Sequence, residues 1–343
     1  MQAVGIGFFR YDTMNDLDSK NRDQNMTERT AHVKADSPHQ HRVALIGAGY
    51  WGKKLARNFY ESGGLYAVCD PRTEALRACR EQYPDIVAAE NVGDILTDEN
   101  VQGVAISAPA EQHYTLARQA LQAEKDVYVE KPLCMNVEET DELIALADKR
   151  QCILMVGHLL QYHPCVEKLK ELVGNGALGQ LQYIASNRLN LGRIRTEENA
   201  LWSFAPHDLS VILSLTGDTL PTDVQCTGGS YLTGGVADTT LTAMTFPTGV
   251  RSHVYVSWLN PFKEQKLTVV GSHAMVVFDD TRPWEHKLAF YEKPVVWESG
   301  TTPTPNKMDP AYIASAQEEP LRRECEHFLY ACSTRTKPKT DGE

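Results

Sequence analysis

Basic residues are in short supply. Lys and Arg number 34 against 45 Asp and Glu, a formal net charge of −11 over 343 residues. That balance excludes nucleic acid or an anionic membrane as the main partner, and no stretch reads as a DNA-binding segment. A phosphorylated small molecule stays compatible, because a local pocket can be basic or rich in backbone N–H groups. Long apolar runs are missing too. None approaches the ~20 residues of a membrane span, and the opening MQAVGIGFFRYD has too short an apolar run, with no basic region before it, for a signal peptide. The eight cysteines include no CxxC pair, so reduced thiols in a cytoplasmic protein are expected, with no metal site.

What is there divides the chain. An apolar share of 42% permits a sizeable core, and the length suggests two domains. Residues 1–41, with the charged centre NDLDSKNRDQNMTERT, read as a disordered N-terminal extension. Met14 and Met26 are alternative starts. From Arg42 the texture changes. VALI, LYAVC, VQGVAIS, DVYVE and CILMVGH read as strands. Helical stretches alternate with them, one starting at Val137 behind an Asn136 cap with Glu139 at the third position. Such alternation predicts βαβ units and a doubly wound parallel sheet over residues 42–160. Beyond 160, strands punctuated by Gly, Pro and Asp predict a mostly antiparallel α/β domain over 161–343.

Gly47-Ala48-Gly49-Tyr50-Trp51-Gly52 is a GxGxxG turn between a strand and a helix, with Asp70 at the next strand end. Gly47 permits the tight turn, Gly49 lets backbone approach a pyrophosphate, and Gly52 allows close helix–strand packing. Asp70 would accept from ribose hydroxyls and repel a 2′-phosphate, which favours NAD over NADP. Arg72 keeps NADP open. Ser107 and Pro109 end another strand and His113 begins the next helix, so this crossover is a candidate cofactor wall, because ligands sit beyond the carboxyl ends of parallel strands. Glu130-Lys131-Pro132 obeys the same rule. Lys131 is either a solvated surface residue, the usual fate of lysine, or a group facing the crevice, where burial or nearby cations would lower its pKa. Proline fixes the turn, with a cis bond one way to do so. His207, in APHD ahead of an apolar helix, is either a capping or core histidine or a proton acceptor.

Taken in order, VALIGAGYWG, Asp70-Pro71, Pro109 with His113, the EKP triplet and His207-Asp208 resemble the Gfo/Idh/MocA oxidoreductases over about residues 42–340. The resemblance implies a Rossmann domain followed by an α/β domain with an open, mostly antiparallel sheet. It also implies a nicotinamide cofactor, oxidation or reduction of a sugar-like carbinol, and a homodimer or homotetramer. Lys131 would be the substrate-contacting catalytic residue and His207 its partner. Many members carry an aspartate four residues before the histidine, where this chain has Ser203. GYWGKKLARNF, GHLLQYHP and ENALWSFAPHDLSVI look more specifically like nucleotide-sugar 3-dehydrogenases, which oxidise the C3 hydroxyl of UDP-N-acetylglucosamine or its uronic acid ahead of an aminotransferase, toward lipid A or O-antigen. The resemblance favours the former sugar. A C6 carboxylate would want a bidentate arginine, and Arg188, Arg193 and Arg195 serve that role or the diphosphate equally well. Members also usually continue past TDGE into one more helix. Its absence would leave an apolar groove exposed.

On this resemblance, Lys131 or His207 takes the C3 hydroxyl proton as hydride leaves. Tyr162, Arg188, Asn190 and Trp202 are candidates for holding the sugar nucleotide, Tyr162 and Trp202 being equally at home as core or interface aromatics. Rival readings are a free-sugar or inositol dehydrogenase and a non-catalytic dinucleotide-binding regulator.

Overall fold

A computed structural model describes residues 41–192, 194–196, 198–293, 295–298 and 302–343. The expected extension therefore falls outside the described residues but for His41, as does Arg193.

The first half alternates as its pattern dictates: β1 (Val43–Ile46), α1 (Gly52–Glu61), β2 (Leu65–Cys69), α2 (Thr73–Gln82), β3 (Val87–Ala89), α3 (Val92–Thr97), β4 (Gly103–Ile106), α4 (His113–Gln122), β5 (Asp126–Glu130), α5 (Val137–Arg150) and β6 (Leu154–Gly157). All pairings are parallel, in the order β3-β2-β1-β4-β5-β6. β1, β4, β5 and β6 are buried along their whole length, which is why they read as continuous apolar runs rather than alternating ones. Asn136 caps α5 by accepting from the Glu139 amide at 2.8 Å.

The second half holds α6 (Pro164–Gly174), β7 (Leu181–Leu189), α7 (Ala200–Leu215), β8 (Asp223–Gly229), β9 (Thr239–Thr245), β10 (Arg251–Ser257), β11 (Glu264–Gly271), β12 (Ala274–Asp279), β13 (Leu288–Glu292), β14 (Val295–Glu298), β15 (Thr302–Pro305), β16 (Ala311–Tyr312) and α8 (Pro320–Thr334). Eight strands form one sheet, β16-β13-β12-β11-β7-β10-β9-β8, and β14 and β15 pair separately. Only the β7–β10 pairing is parallel in the larger sheet. Strand alternation sorts its faces. Ile184, Val254, Val256, Leu267 and Val269 point inward against Leu169 of α6 and Val211, Ile212 and Leu215 of α7.

One part of the domain assignment differs. Residues 161–343 do not all belong with the second sheet. Leu321, Cys325, Phe328 and Leu329 of α8 lie in the same core as Val43, Leu55, Phe59 and Tyr128. Phe328 meets Phe59 and Tyr128 edge-on at 6.2 and 5.9 Å. The tail then runs beside β6, where the Val156 amide donates to the Thr340 carbonyl at 2.7 Å, and Arg335 pairs with Asp126 at 2.6 Å. The apolar stripe of α8 carries no label saying which sheet it covers, so sequence order alone assigned it to the nearer one. Phe328→Ala should cost about 3–5 kcal/mol in urea denaturation. A loss below about 1 kcal/mol would place α8 outside this core.

Candidate active site

The carboxyl ends of β1, β2, β4, β5 and β6 lie along one edge of the parallel sheet, on both sides of the β1/β4 junction where the strand order reverses. That is where an open α/β sheet places its ligand. Gly47 turns the chain at φ +96°, a conformation that favours glycine. Ser107 Oγ braces the turn by donating to the Gly47 carbonyl at 2.8 Å. Gly52 begins α1 so close beneath it that a Cβ would stand 1.9 Å from the Gly47 oxygen. At Gly49 a Cβ would meet nothing within 4 Å, so the turn is open on that side, next to the positive end of α1; the Lys53 and Lys54 amides already donate to the Gly49 and Trp51 carbonyls at 3.1 and 2.9 Å. These residues fit a dinucleotide pyrophosphate. Tyr50 is exposed. The ammonium of Lys54 lies 4.8 Å from the ring centres of both Tyr50 and Trp51.

Asp70 follows β2 and is 2% exposed. Its Oδ2 accepts from the Ala48 amide at 2.8 Å, and Arg72 embraces both carboxylate oxygens, Nε to Oδ1 and Nη2 to Oδ2, each at 2.8 Å. Burial raises its pKa, but the bonds from Arg72 and the Ala48 amide outweigh that and hold it below the usual range. Arg72 itself is largely exposed. Two further expected cofactor residues, His113 and Pro109, are placed differently. The His113 ring is buried between the Pro132 carbonyl, 2.7 Å from Nδ1, and the Ala108 carbonyl, 2.9 Å from Nε2. A neutral ring can donate to one of these two carbonyls, so His113 ties one crossover turn to the other through a single N–H. Pro109 is exposed and precedes a short 3-10 turn at Ala110–Gln112.

The β5 turn carries Lys131, and the Lys131–Pro132 bond is cis. Lys131 Nζ donates to the Ser203 carbonyl of α7 at 3.0 Å. Pro206 sits inside that helix, where it has no N–H for the carbonyl four residues back and its ring crowds the preceding turn. The lysine reaches α7 in that same turn. Burial lowers the Lys131 pKa; Glu198 and Glu130 oppose the shift, while Arg195 and Arg188 add to it. His207 is driven well below the ordinary imidazole value by burial, with Lys131, Arg188 and His158 adding to the effect. His158, directly after β6, is lowered to about 4 by burial and by Lys131. The Nδ1 atoms of His158 and His207 have no hydrogen-bond partner among the described residues. A lysine and two neutral imidazoles in mutual electrostatic reach can move a proton.

Arg188 and Asp208 form a buried bidentate pair at 2.5 and 3.1 Å. Arg188 thus points to the buried face of β7, but its fork is taken and is not open to a sugar nucleotide. Arg195 is paired with Glu198 at 3.0 Å. Tyr162 is a correction. Its side chain is buried in the first core, and its hydroxyl lies 3.0 Å from Thr340 Oγ1. Trp202 is 38% exposed at the start of α7, and Asn190 follows β7 with its amide donated to the Ser257 carbonyl at 3.0 Å. His158 and Glu198 were missed. His158 occupies the strand-end position that already singled out Gly47, Asp70, Ser107 and Lys131, so the rule could have found it. Nothing local marks Glu198.

Two family models match the chain. The oxidoreductase family with an NAD-binding Rossmann fold covers residues 41–158, and the GFO/IDH/MocA C-terminal domain covers residues 166–277. UDP-N-acetylglucosamine 3-dehydrogenase of Acidithiobacillus ferrooxidans is 28% identical, across 88% of this chain and 91% of that protein. Myo-inositol 2-dehydrogenase of Thermotoga maritima is 26% identical across 70% and 76%. Among solved structures, the Acidithiobacillus enzyme superposes with a TM-score of 0.76 at 24% identity, covering 88% of this chain and 91% of that one. A levoglucosan dehydrogenase in complex with NADH superposes with a TM-score of 0.75 at 16% identity, covering 88% and 92%.

Gly52→Ala is expected to destabilise the fold by about 1–3 kcal/mol, the range for overpacking. It should also weaken dinucleotide binding at least about tenfold as the turn shifts, measured by calorimetric titration. Wild-type affinity in this variant would remove the turn from the binding site.

Proposed function

The chain belongs to the GFO/IDH/MocA oxidoreductase family, and we propose that it uses NAD to oxidise the C3 hydroxyl of UDP-N-acetylglucosamine to the 3-keto sugar nucleotide. The observation that carries this reading is the reach of Lys131, at a strand end of the parallel sheet, to the Ser203 carbonyl in the turn of α7 that leads into His207, in a chain that aligns over most of its length with a relative of that activity. The product would suit transamination at C3.

In this reading the glycine turn holds the pyrophosphate on the α1 N-terminus, and the ribose hydroxyls displace the exposed Arg72 from the Asp70 carboxylate and donate to it in its place. A 2′-phosphate would instead meet the carboxylate, which favours NAD. The bound nicotinamide supplies the hydride acceptor. The lowered pKa of Lys131 raises the share of free amine, which is the form that can accept a hydroxyl proton. His207, neutral and with Nδ1 free among the described residues, hydrogen-bonds the same hydroxyl and passes the proton on. The Ser203 carbonyl aims the amine. Trp202 and Asn190, at the rim of the same helix and strand, are offered as sugar-nucleotide contacts.

The test is NADH formation with UDP-N-acetylglucosamine, with its uronate, and with myo-inositol, using a ketone trap to pull the equilibrium. NADH with the first sugar alone is expected. A response to inositol with no affinity for UDP would move the assignment to the inositol dehydrogenases. Lys131→Met should lower kcat by at least about a thousandfold while the Kd for NAD stays within about threefold. Loss of NAD binding in that variant would make Lys131 structural. Tight NAD binding without turnover on any sugar would revive the regulator reading.

A second copy of the chain is the proposed partner for the outer face of the large sheet. Leu241 faces Tyr255 across β9 and β10, and these two are 42% and 37% exposed. The next row on the same face, His253, Ala185, Thr268 and Val277, runs in register through β10, β7, β11 and β12. Tyr255→Glu should convert a dimer or tetramer in sedimentation analysis to smaller species. A wild-type monomer at micromolar concentration would refute the association.

A further inference from the structure

Behind Lys131 lies a chain of oxygen-bearing side chains that the reaction above does not use. Tyr128 Oη stands 2.9 Å from Glu130 Oε1 and 3.1 Å from Glu324 Oε2. Tyr128 and Glu324 are 0% exposed and Glu130 is 9% exposed. Tyr128 and Glu130 come from β5 and Glu324 comes from α8, nearly two hundred positions along the chain. Gly157 on β6 leaves the room, since a Cβ there would stand 2.6 Å from the Tyr128 oxygen and 3.1 Å from the Glu130 carboxyl group.

Counting protons constrains this chain. A phenol has one proton to donate. It satisfies one carboxylate, and the second close contact then sets lone pair against lone pair unless that carboxyl carries a proton of its own. The indole N–H of Trp51 is donated to Glu130 Oε1, so Glu130 already has a donor suited to an anion. Glu324 has none beyond the tyrosine, and its Oε1 has no hydrogen-bond partner among the described residues. A bare carboxylate oxygen in a core costs far more than a bare carbonyl oxygen. The titration tendencies agree. Burial, then the Glu130 charge, drives Glu324 well above the carboxylate range. Burial pushes Glu130 up to about 7 against the pull of Trp51, Tyr128 and Lys131. The other titratable groups at the chain are Cys325 on α8 and Tyr162 beyond β6. Burial pushes both upward, so neither brings a charge near neutral pH.

We propose that Glu324 is held as a neutral acid that donates to the Tyr128 hydroxyl, which in turn donates to the Glu130 carboxylate, so that α8 fixes the charge on the residue next to Lys131. Glu324 and Tyr128 are then positioning residues. They keep Glu130 an anion, and that anion stabilises the ammonium that Lys131 becomes as it takes the hydroxyl proton, against the burial that opposes it. The consequence for turnover rests on the proposed function; the protonation does not.

Infrared difference spectra of the whole protein, wild type minus Glu324→Gln at pH 8, test the protonation without any substrate. A protonated-carboxyl C=O band that shifts in D2O is expected. Loss of carboxylate bands alone would overturn the proposal. The link to Lys131 is read from the pH profile of kcat/KM. Glu324→Leu should lose about tenfold at pH 7, with Glu324→Gln recovering most of it because its amide N–H can still donate to Tyr128. Tyr128→Phe strips Glu130 of a donor, so its pKa rises and the acid limb should move up by about one pH unit. Equal losses in the Leu and Gln variants, or an unmoved acid limb in Tyr128→Phe, would overturn the link. If the wild type turns over no sugar, the proposed function fails while the infrared result still decides the protonation.

Discussion

The hydrogen bond from Lys131 to the Ser203 carbonyl joins the two halves of the site. It spans 3.0 Å between a turn on the parallel sheet and a helix that packs on the antiparallel one. An ammonium or amine half-enclosed by protein needs acceptors it would otherwise find in water. The main acceptor here is a backbone carbonyl, which carries no formal charge. Lys131 is therefore held in place without being locked as a cation, as it would be on a carboxylate. The buried Arg188–Asp208 pair has the opposite character. Its two bonds spend a carboxylate on fixing β7 to α7, and breaking it from one side would leave a buried charge, at a cost of about 3–5 kcal/mol.

The missing aspartate at position 203 looks different in this light. The chain does have a carboxylate on α7, Asp208, but it faces the arginine. His207, its immediate neighbour, projects from the helix one step of about 100° away from Asp208. With no carboxylate on its free Nδ1 among the described residues, His207 has nothing to stabilise an imidazolium, and the surrounding cations disfavour one. A histidine so placed is a relay or hydrogen-bond partner rather than a resting place for charge.

How much of this was legible depended on range. The glycine turn, Asp70 and the EKP turn are local patterns whose positions follow from one rule, that crevices form at the carboxyl ends of parallel strands, and sequence order suffices to apply it. His158 obeyed the same rule and was overlooked because a lone histidine after a strand has no motif around it. The surroundings of His113 and Tyr162 were illegible for the opposite reason. Their positions near the crevice were readable, but whether a ring nitrogen or hydroxyl is already bonded depends on Pro132, Ala108 and Thr340, partners no spacing reveals. Glu324 lies furthest from legibility. It arrives on a helix whose apolar stripe is as compatible with one sheet as with the other, and only the packing of Phe328 against Phe59 and Tyr128 selects the first.

Charge balance separates the two candidates for accepting the substrate proton. Around the lysine stand Arg188 and Arg195 as fixed cations, and Asp208, Glu198 and Glu130 as anions. With both histidines neutral, the site is balanced when Lys131 is an ammonium and one charge negative when it is an amine. If Lys131 accepts the proton, the reaction runs toward balance. If His207 accepts it beside an ammonium, the site ends one charge positive in surroundings that already penalise that state. The intrinsic basicity gap between a lysine and a histidine, about 4 pKa units or roughly 5 kcal/mol, points the same way. The enclosure that lowers the lysine pKa and the anions that support its charged form are thus not in conflict. In the proposed reaction the first would supply a free amine beforehand, and the second would stabilise the ammonium afterwards.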